Sequence, residues 1–198
     1  MPARDPDLQT FFDALFDAYE AQAPKETPMA AAVARAKAIM ERPGAPAEVD
    51  PVHDPVHDWL DDAQANAAAS SVRDLAAAFR PIAARVAWRA RSDRKSPAPN
   101  FAARHGNAQI VGEGGIEVRS DIRIGASLLA PETHYPDHRH PPEEVYVALS
   151  KGSWRQNDGP WREPGPGGLV YNPPNIIHSM LSGPQPLLAI WTLPMDDA

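Results

Sequence analysis

Proline interrupts this chain 23 times in 198 residues, more than twice the usual share of about 5%. A long helical bundle cannot be built through so many breaks. Each proline lacks the amide hydrogen a helix needs and clashes with the carbonyl four residues back. Short elements joined by stiff turns are expected instead. An apolar content of 43% still supplies a packed core, which argues against wholesale disorder. The length suits one domain with attached elements, or two small ones.

Hydrophobic periodicity divides the chain near residue 105. In the first half the period is helical: Leu8, Phe11, Phe12, Leu15, Phe16 and Tyr19 follow the i, i+3, i+4, i+7 spacing of an amphipathic stripe. Pro24 and Pro28 end that helix and open the next, an alanine-rich segment over 29–41 with Met29, Val33 and Met40 as its apolar marks. A turn is expected over 50–55, followed by a third helical piece opened by Val56, Trp59 and Leu60. Val72, Leu75, Ala76 and Phe79 form a further stripe; Pro81 is expected to interrupt it, leaving Ile82, Val86 and Trp88 to a separate short helix. Residues 92–100, SDRKSPAPN, have the composition of a linker.

From about Gln109 the period drops to two. Ile116, Val118, Ile122, Ile124 and Leu128 alternate with polar residues, as do Val145, Val147 and Leu149, and further β-like runs cover 169–171 and 187–193. The clusters NDGP, EPGPGG, NPPN and SGPQP separate them at short spacing. Many short strands with regular turns indicate an all-β barrel or sandwich. The expected organisation is mainly β: a helical N-terminal region over 1–104, packing on a β-barrel over 105–198.

Composition excludes several functions. Nineteen basic against 26 acidic residues give a net charge of −7, which disfavours nucleic acid and anionic membranes as partners. Cysteine is absent, so disulfides, iron–sulfur clusters, thiolate zinc sites and cysteine nucleophiles are excluded. No apolar run reaches the roughly 18–20 residues of a membrane span, and the N-terminus carries no signal-like stretch. A soluble, cytoplasmic protein is expected.

The histidines carry the chemistry. Three of the seven fall in one stretch, His134-Tyr-Pro-Asp-His138-Arg-His140, with Glu143, Glu144 and Tyr146 just beyond. Side chains two apart on an extended chain share a face, so His138 and His140 can point inward together, and Glu144 and Tyr146 have matching parity. Imidazoles converging with a carboxylate suit zinc, iron, manganese, cobalt or nickel. His178 lies about forty residues on, where a distant strand could supply a further ligand. His134 is out of step and reads as a surface or supporting residue, Glu143 faces the opposite way, and His53 and His57 read as surface residues.

The spacing His138-x-His140-x3-Glu144 resembles the first metal-binding motif of the cupin superfamily, and Gly167-x5-Pro173-x-Asn175-x2-His178 resembles the second. There are departures. Glu132 and Asn175 stand where glycines are usual, Gly152 comes one place late, and Ser182 replaces an asparagine. These concern turn geometry more than ligand supply, and asparagine tolerates a left-handed backbone. Within the superfamily, HYPDHRHPPEEVYVALSKGSW and GLVYNPPNIIHSM resemble the cupin-type dimethylsulfoniopropionate (DMSP) lyases, in particular the DddQ group. The helical half matches that group mainly in length and arrangement.

That resemblance implies a β-elimination splitting DMSP, a small zwitterionic sulfonium, into dimethyl sulfide and acrylate. It implies one divalent transition metal, zinc or iron(II) first and manganese, cobalt or nickel as further candidates. His140, Glu144 and His178 would be ligands, with His138 a further ligand or close neighbour. Tyr146 would be the catalytic base, since a nearby dication favours a phenolate, and Tyr135 would line the substrate pocket with a part in proton transfer. Trp154, Tyr171 and Trp191 are available as aromatic faces for the sulfonium. An iron(II) cupin dioxygenase would share the ligand set, and a non-catalytic small-molecule-binding cupin module would share the fold. Cupins often form homodimers by sheet extension, a partner choice the sequence leaves open.

Overall fold

The first two helices start with one device. In the computed structural model, which describes residues 3–52, 58–68, 71–90 and 101–195, α1 (Pro6–Gln22) is capped by Asp5 and α2 (Pro28–Met40) by Thr27. Asp5 accepts from the Leu8 amide at 3.1 Å and Thr27 from the Ala30 amide at 3.3 Å. Such caps each contribute about 1 kcal/mol, and proline just after a cap costs little because its missing N–H would be unpaired there anyway. Hydrogen bonding from Arg85 also holds the Asp5 carboxyl below the usual carboxylate range.

Two further helices follow, α3 (Leu60–Ala68) and α4 (Arg73–Ala83). Here one expectation is corrected: α4 runs through Pro81 instead of stopping at it. Pro81 and Ala77, whose carbonyl loses its helical donor, both lie on the exposed face, so water can satisfy the released oxygen. Val86 and Trp88 do not form a separate helix; Trp88 opens a strand. His53, His57, the linker over 92–100 and the acidic Asp196-Asp197 fall outside the described residues.

Two short strands come from the helical half, β1 (Ala45–Pro46) and β2 (Trp88–Arg89). The remainder are β3 (His105–Val111), β4 (Glu117–Val118), β5 (Ile122–Leu129), β6 (His134–His138), β7 (Glu144–Ala148), β8 (Ser153–Gln156), β9 (Leu169–Asn172), β10 (His178–Leu181) and β11 (Leu187–Pro194). They form an eight-stranded sheet in the order β1-β4-β3-β5-β11-β7-β9, with β2 paired to β3, and a three-stranded sheet in the order β6-β10-β8. The two sheets make a cupin barrel with a helical N-terminal region. Among the described residues no helix is long and apolar enough to cross a membrane.

The large sheet is buried on both faces, and strand alternation sorts its residues. Val145, Val147, Leu188, Ile190, Ile124 and Leu128 face outward and join Phe11, Leu15 and Phe79 of the helices in one apolar cluster. Tyr146, Ala148, Leu187 and Ala189 face inward and pack with Tyr135, Trp154 and Met180 of the small sheet in a second. Every residue of the α1 stripe is buried. Tyr19 reaches furthest, its hydroxyl hydrogen-bonded to the Val145 carbonyl at 3.1 Å and the Thr192 hydroxyl at 3.0 Å. Burial pushes this phenol well above its ordinary range, so it stays neutral.

Phe79 is fully buried between α1 and Trp88, 5.8 Å from the Phe11 ring centroid and 6.4 Å from that of Trp88. Phe79→Ala is expected to lower unfolding stability by about 3–5 kcal/mol, read as a drop in the urea midpoint. A change under about 1 kcal/mol would mean that the helices do not share a core with the sheet.

Candidate active site and metal centre

Two rows of cross-strand neighbours build the site. In the small sheet, His178 on β10 lies opposite His138 on β6 and opposite Gln156 on β8. In the large sheet, Glu144 at the start of β7 lies opposite Asn172 at the end of β9. His140 sits in the connection between β6 and β7, and its carbonyl accepts from the Asn175 amide at 2.9 Å. That bond ties the first motif to the second. Asn175 has φ 60° and Glu132 has φ 54°, so both stand in the left-handed region that glycine adopts most readily, at the two places where the cupin motifs they resemble carry glycine. Ser182 bridges the β6 and β10 ends in place of asparagine: its hydroxyl donates to the Ala130 carbonyl at 2.6 Å and accepts from the Thr133 amide at 2.8 Å.

A β-bulge decides which β6 residues face inward. Between the pairs His178↔His138 and Met180↔Tyr135, β6 carries one residue more than β10. Tyr135 and His138, three apart, therefore both point into the barrel, with ring centroids 4.6 Å apart. His134 falls on the outer face, where its ring meets Trp161 at 5.7 Å; burial and the nearby Arg155 charge lower its pKa.

Among the described residues, His140, Glu144 and His178 form the group whose ligand atoms all lie within 4.8 Å of one another. Both imidazoles place Nε2 3.2 Å from Glu144 Oε2. Their Nδ1 atoms contact backbone carbonyls, His140 that of Pro142 at 2.8 Å and His178 that of Ile176 at 3.1 Å. A carbonyl only accepts, so each Nδ1 carries a proton, and Nε2 is the nitrogen left to take a ligand. Both Nε2 atoms face one carboxylate oxygen, an arrangement that calls for positive charge between them, carried by a proton or by a metal cation. His178 Nε2 is buried and makes no bond of hydrogen-bond geometry. Zinc bonds of about 2.0–2.2 Å in tetrahedral array put neighbouring ligand atoms about 3.3 Å apart, close to the separations here. The residues fit a metal ion. Burial alone would raise the Glu144 carboxyl, but the two imidazoles hold it well below the usual carboxylate range.

His138 flanks this group without belonging to it. Its ring centroid is 4.0 Å from that of His178 and its Nδ1 contacts the Pro136 carbonyl at 3.0 Å. Tyr146 is buried two residues beyond Glu144 on the same face. A cavity of about 620 Å³ opens onto His138, His140, Glu144, Tyr146, Tyr135 and Trp191. Gly125 makes room for Trp191, since a Cβ there would stand 2.2 Å from Cζ2 of the indole.

Two of the expected aromatic residues lie elsewhere. Tyr171 is corrected: alternation along β9 turns Val170 and Asn172 inward and Tyr171 outward, where its hydroxyl donates to Glu143 Oε2 at 2.7 Å. Trp154 is interior but stands behind Tyr146, 6.1 Å between ring centroids. It borders a second cleft of about 480 Å³ with Tyr171, not the cavity at Glu144.

Several polar residues of the site were not singled out by motif. Asn107 Nδ2 donates to the Tyr135 hydroxyl at 3.4 Å, while Asn107 Oδ1 accepts from Ser127 at 2.5 Å. Gln109, Arg123 and Arg139 also line the cavity. A signal existed for the first two: Asn107 and Gln109 alternate with Ala108 and Ile110, which marks a polar inward face on a strand buried on both sides.

The family model for dimethylsulfoniopropionate lyase matches residues 29–189. A candidate dimethylsulfoniopropionate lyase of Cereibacter sphaeroides, DddL, is 30% identical over 151 residues, covering 74% of this chain and 61% of its own length. The chain thus spans about three fifths of that relative. Dimethylsulfoniopropionate lyase DddQ of Ruegeria pomeroyi is 24% identical over 180 residues, covering 90% of this chain and 87% of that protein. The crystal structure of DddQ from the same organism superposes with a TM-score of 0.77 over 98% of this chain and 93% of that one, at 24% identity. A second structure, described as of the DMSP lyases RdDddP and RnDddQII, gives 0.64 over 96% and 95% at 22% identity.

A metal centre of this kind is checked by metal content. Chain dialysed against zinc and then buffer is expected to retain about one ion per molecule, measured by elemental mass spectrometry. His140→Ala, Glu144→Ala and His178→Ala should each lose it. Retention should also fail as the pH drops, because protons compete for the same lone pairs. Equal retention by the three variants and the parent would refute the assignment.

Proposed function

Since the chain belongs to the dimethylsulfoniopropionate lyase family, we propose that it cleaves DMSP by β-elimination into dimethyl sulfide and acrylate. What supports this reading is one cavity in which His140 and Glu144 of the His-Glu-His group meet two tyrosines and a tryptophan. Sulfur leaves a sulfonium readily as a neutral sulfide. The difficult step is removing the proton beside the carboxylate, which builds negative charge next to an existing one. A divalent ion held by His140, Glu144 and His178 would supply the positive charge that offsets this and favours a phenolate nearby.

The chain's own groups do the rest. Tyr146 Oη takes the proton from the carbon next to the carboxylate. The electron pair of that C–H bond becomes the carbon–carbon double bond, and the neighbouring C–S pair departs with sulfur. Acrylate keeps the carboxylate charge, and dimethyl sulfide leaves neutral, so charge and atoms balance. Tyr135 lines the opposite wall. Its oxygen accepts from Asn107, itself fixed by Ser127, which directs the phenolic proton into the cavity as a relay. Trp191 offers an aromatic face to the sulfonium, an attraction of about 0.5–2 kcal/mol.

Headspace chromatography after mixing metal-loaded protein with DMSP is expected to detect dimethyl sulfide at equal rates with and without oxygen. Tyr146→Phe should lower the rate by roughly 10²–10⁴-fold with metal content unchanged. A need for oxygen, or a Phe variant as fast as the parent, would overturn the mechanism.

A further inference from the structure

The carboxylate of Glu144 has a third neighbour that belongs to neither motif. Asn172 Nδ2 donates to Glu144 Oε2 at 3.0 Å, the same oxygen the two imidazoles face. Asn172 Oδ1 in turn accepts from Gln156 Nε2 at 2.8 Å, and that nitrogen also donates to the Tyr171 carbonyl at 2.6 Å. The direction of this chain is set at its far end. A backbone carbonyl only accepts, so the Gln156 atom facing Tyr171 has to be nitrogen. The same nitrogen faces Asn172, so the Asn172 atom there has to be oxygen. The asparagine nitrogen is then left pointing at Glu144.

From this geometry we propose that Asn172 and Gln156 are positioning residues of the metal centre. They hold Glu144 aimed at His140 and His178, and their polarity is anchored by the Tyr171 carbonyl. Each amide lies directly across from a ligand, Asn172 from Glu144 in the large sheet and Gln156 from His178 in the small one. The chain therefore also spans the two sheets at the rim where the ligands meet. Asn172 is buried, so without Gln156 its amide could turn over and present an oxygen to the carboxylate. Gln156 borders the second cleft, outside the cavity that holds the tyrosines. Partners of this kind around a metal ligand typically change metal affinity by about 10–100-fold.

The inference rests on the reading of His140, Glu144 and His178 as metal ligands, and its test separates the two. Zinc affinity is measured by competition with a chromophoric chelator, beside the urea midpoint of each protein in excess chelator. Asn172→Ala and Gln156→Ala should each weaken zinc binding by about 10–100-fold, and the double variant should lose little more than one single variant, because the residues act in series. Gln156→Glu keeps the shape but sets an acceptor against the Tyr171 carbonyl; it should weaken binding at least as much as Gln156→Ala and alter the absorption spectrum of the cobalt(II) form. Gln156→Ala and Gln156→Glu sit at a partly exposed site and serve should Asn172→Ala not fold. Failure of the parent to bind zinc removes the metal reading itself. A parent that binds, with variants of unchanged affinity or with single losses that multiply in the double, overturns the positioning role alone.

Discussion

A carboxylate buried among strands has to be compensated, and Glu144 is the point at which the two sheets of this protein meet that demand. Desolvation opposes its charge. Three groups converge on one of its oxygens: His140 from a loop, His178 from the small sheet and Asn172 from the large one. His178 could not reach it unless the two sheets closed on each other, nor Asn172 unless β9 paired with β7 in this register. The site is therefore a product of the closure, and the closure brings together charge and lone pairs that a dication would satisfy.

The departures from the usual cupin pattern fall on the turns, and the fold absorbs them locally. Glu132 and Asn175 adopt left-handed backbone without glycine, at a cost of the order of 1–2 kcal/mol for an ordinary side chain and less for asparagine. Each is held by a bond across the gap between motifs: the Glu132 amide donates to the Gly183 carbonyl at 2.8 Å, and the Asn175 amide to that of His140 at 2.9 Å. Ser182 replaces an asparagine by using one hydroxyl as both donor and acceptor. Hydrogen bonds at the turn ends thus do what glycine does elsewhere by conformational freedom.

Much of this was legible in the sequence. The stripes of α1 and α2, the switch to period two and the spacing of His138, His140, Glu144 and His178 are local patterns, and local patterns survive folding when a core rewards them. What was not legible depended on pairing. The bulge that turns both Tyr135 and His138 inward is defined only by the register of β6 against β10. The outward turn of Tyr171 follows from which face of β9 meets the helices, and Pro81 is tolerated only because its face is solvated. Asn172 escaped notice for a related reason: an asparagine before a proline pair reads as turn chemistry, and its role exists only once β9 lies beside β7.

The helical half is bound into the site through the strands' outer faces. Because side chains alternate, the inward-facing site residues of β7, β9 and β11 have neighbours gripped from outside. Val145, between Glu144 and Tyr146, has its carbonyl bonded to Tyr19 of α1. Thr192, next to Trp191, has its hydroxyl bonded to the same phenol. Glu143, next to Glu144, is paired with Arg35 of α2 and accepts from Tyr171, the neighbour of Asn172. A one-residue slip of β7 or β11 would break these bonds as it carried the site residues to the wrong face. The helices thus do more than cover apolar surface. They fix the register on which the convergence at Glu144 depends, and a site held by packed strands is held more tightly than one carried on loops.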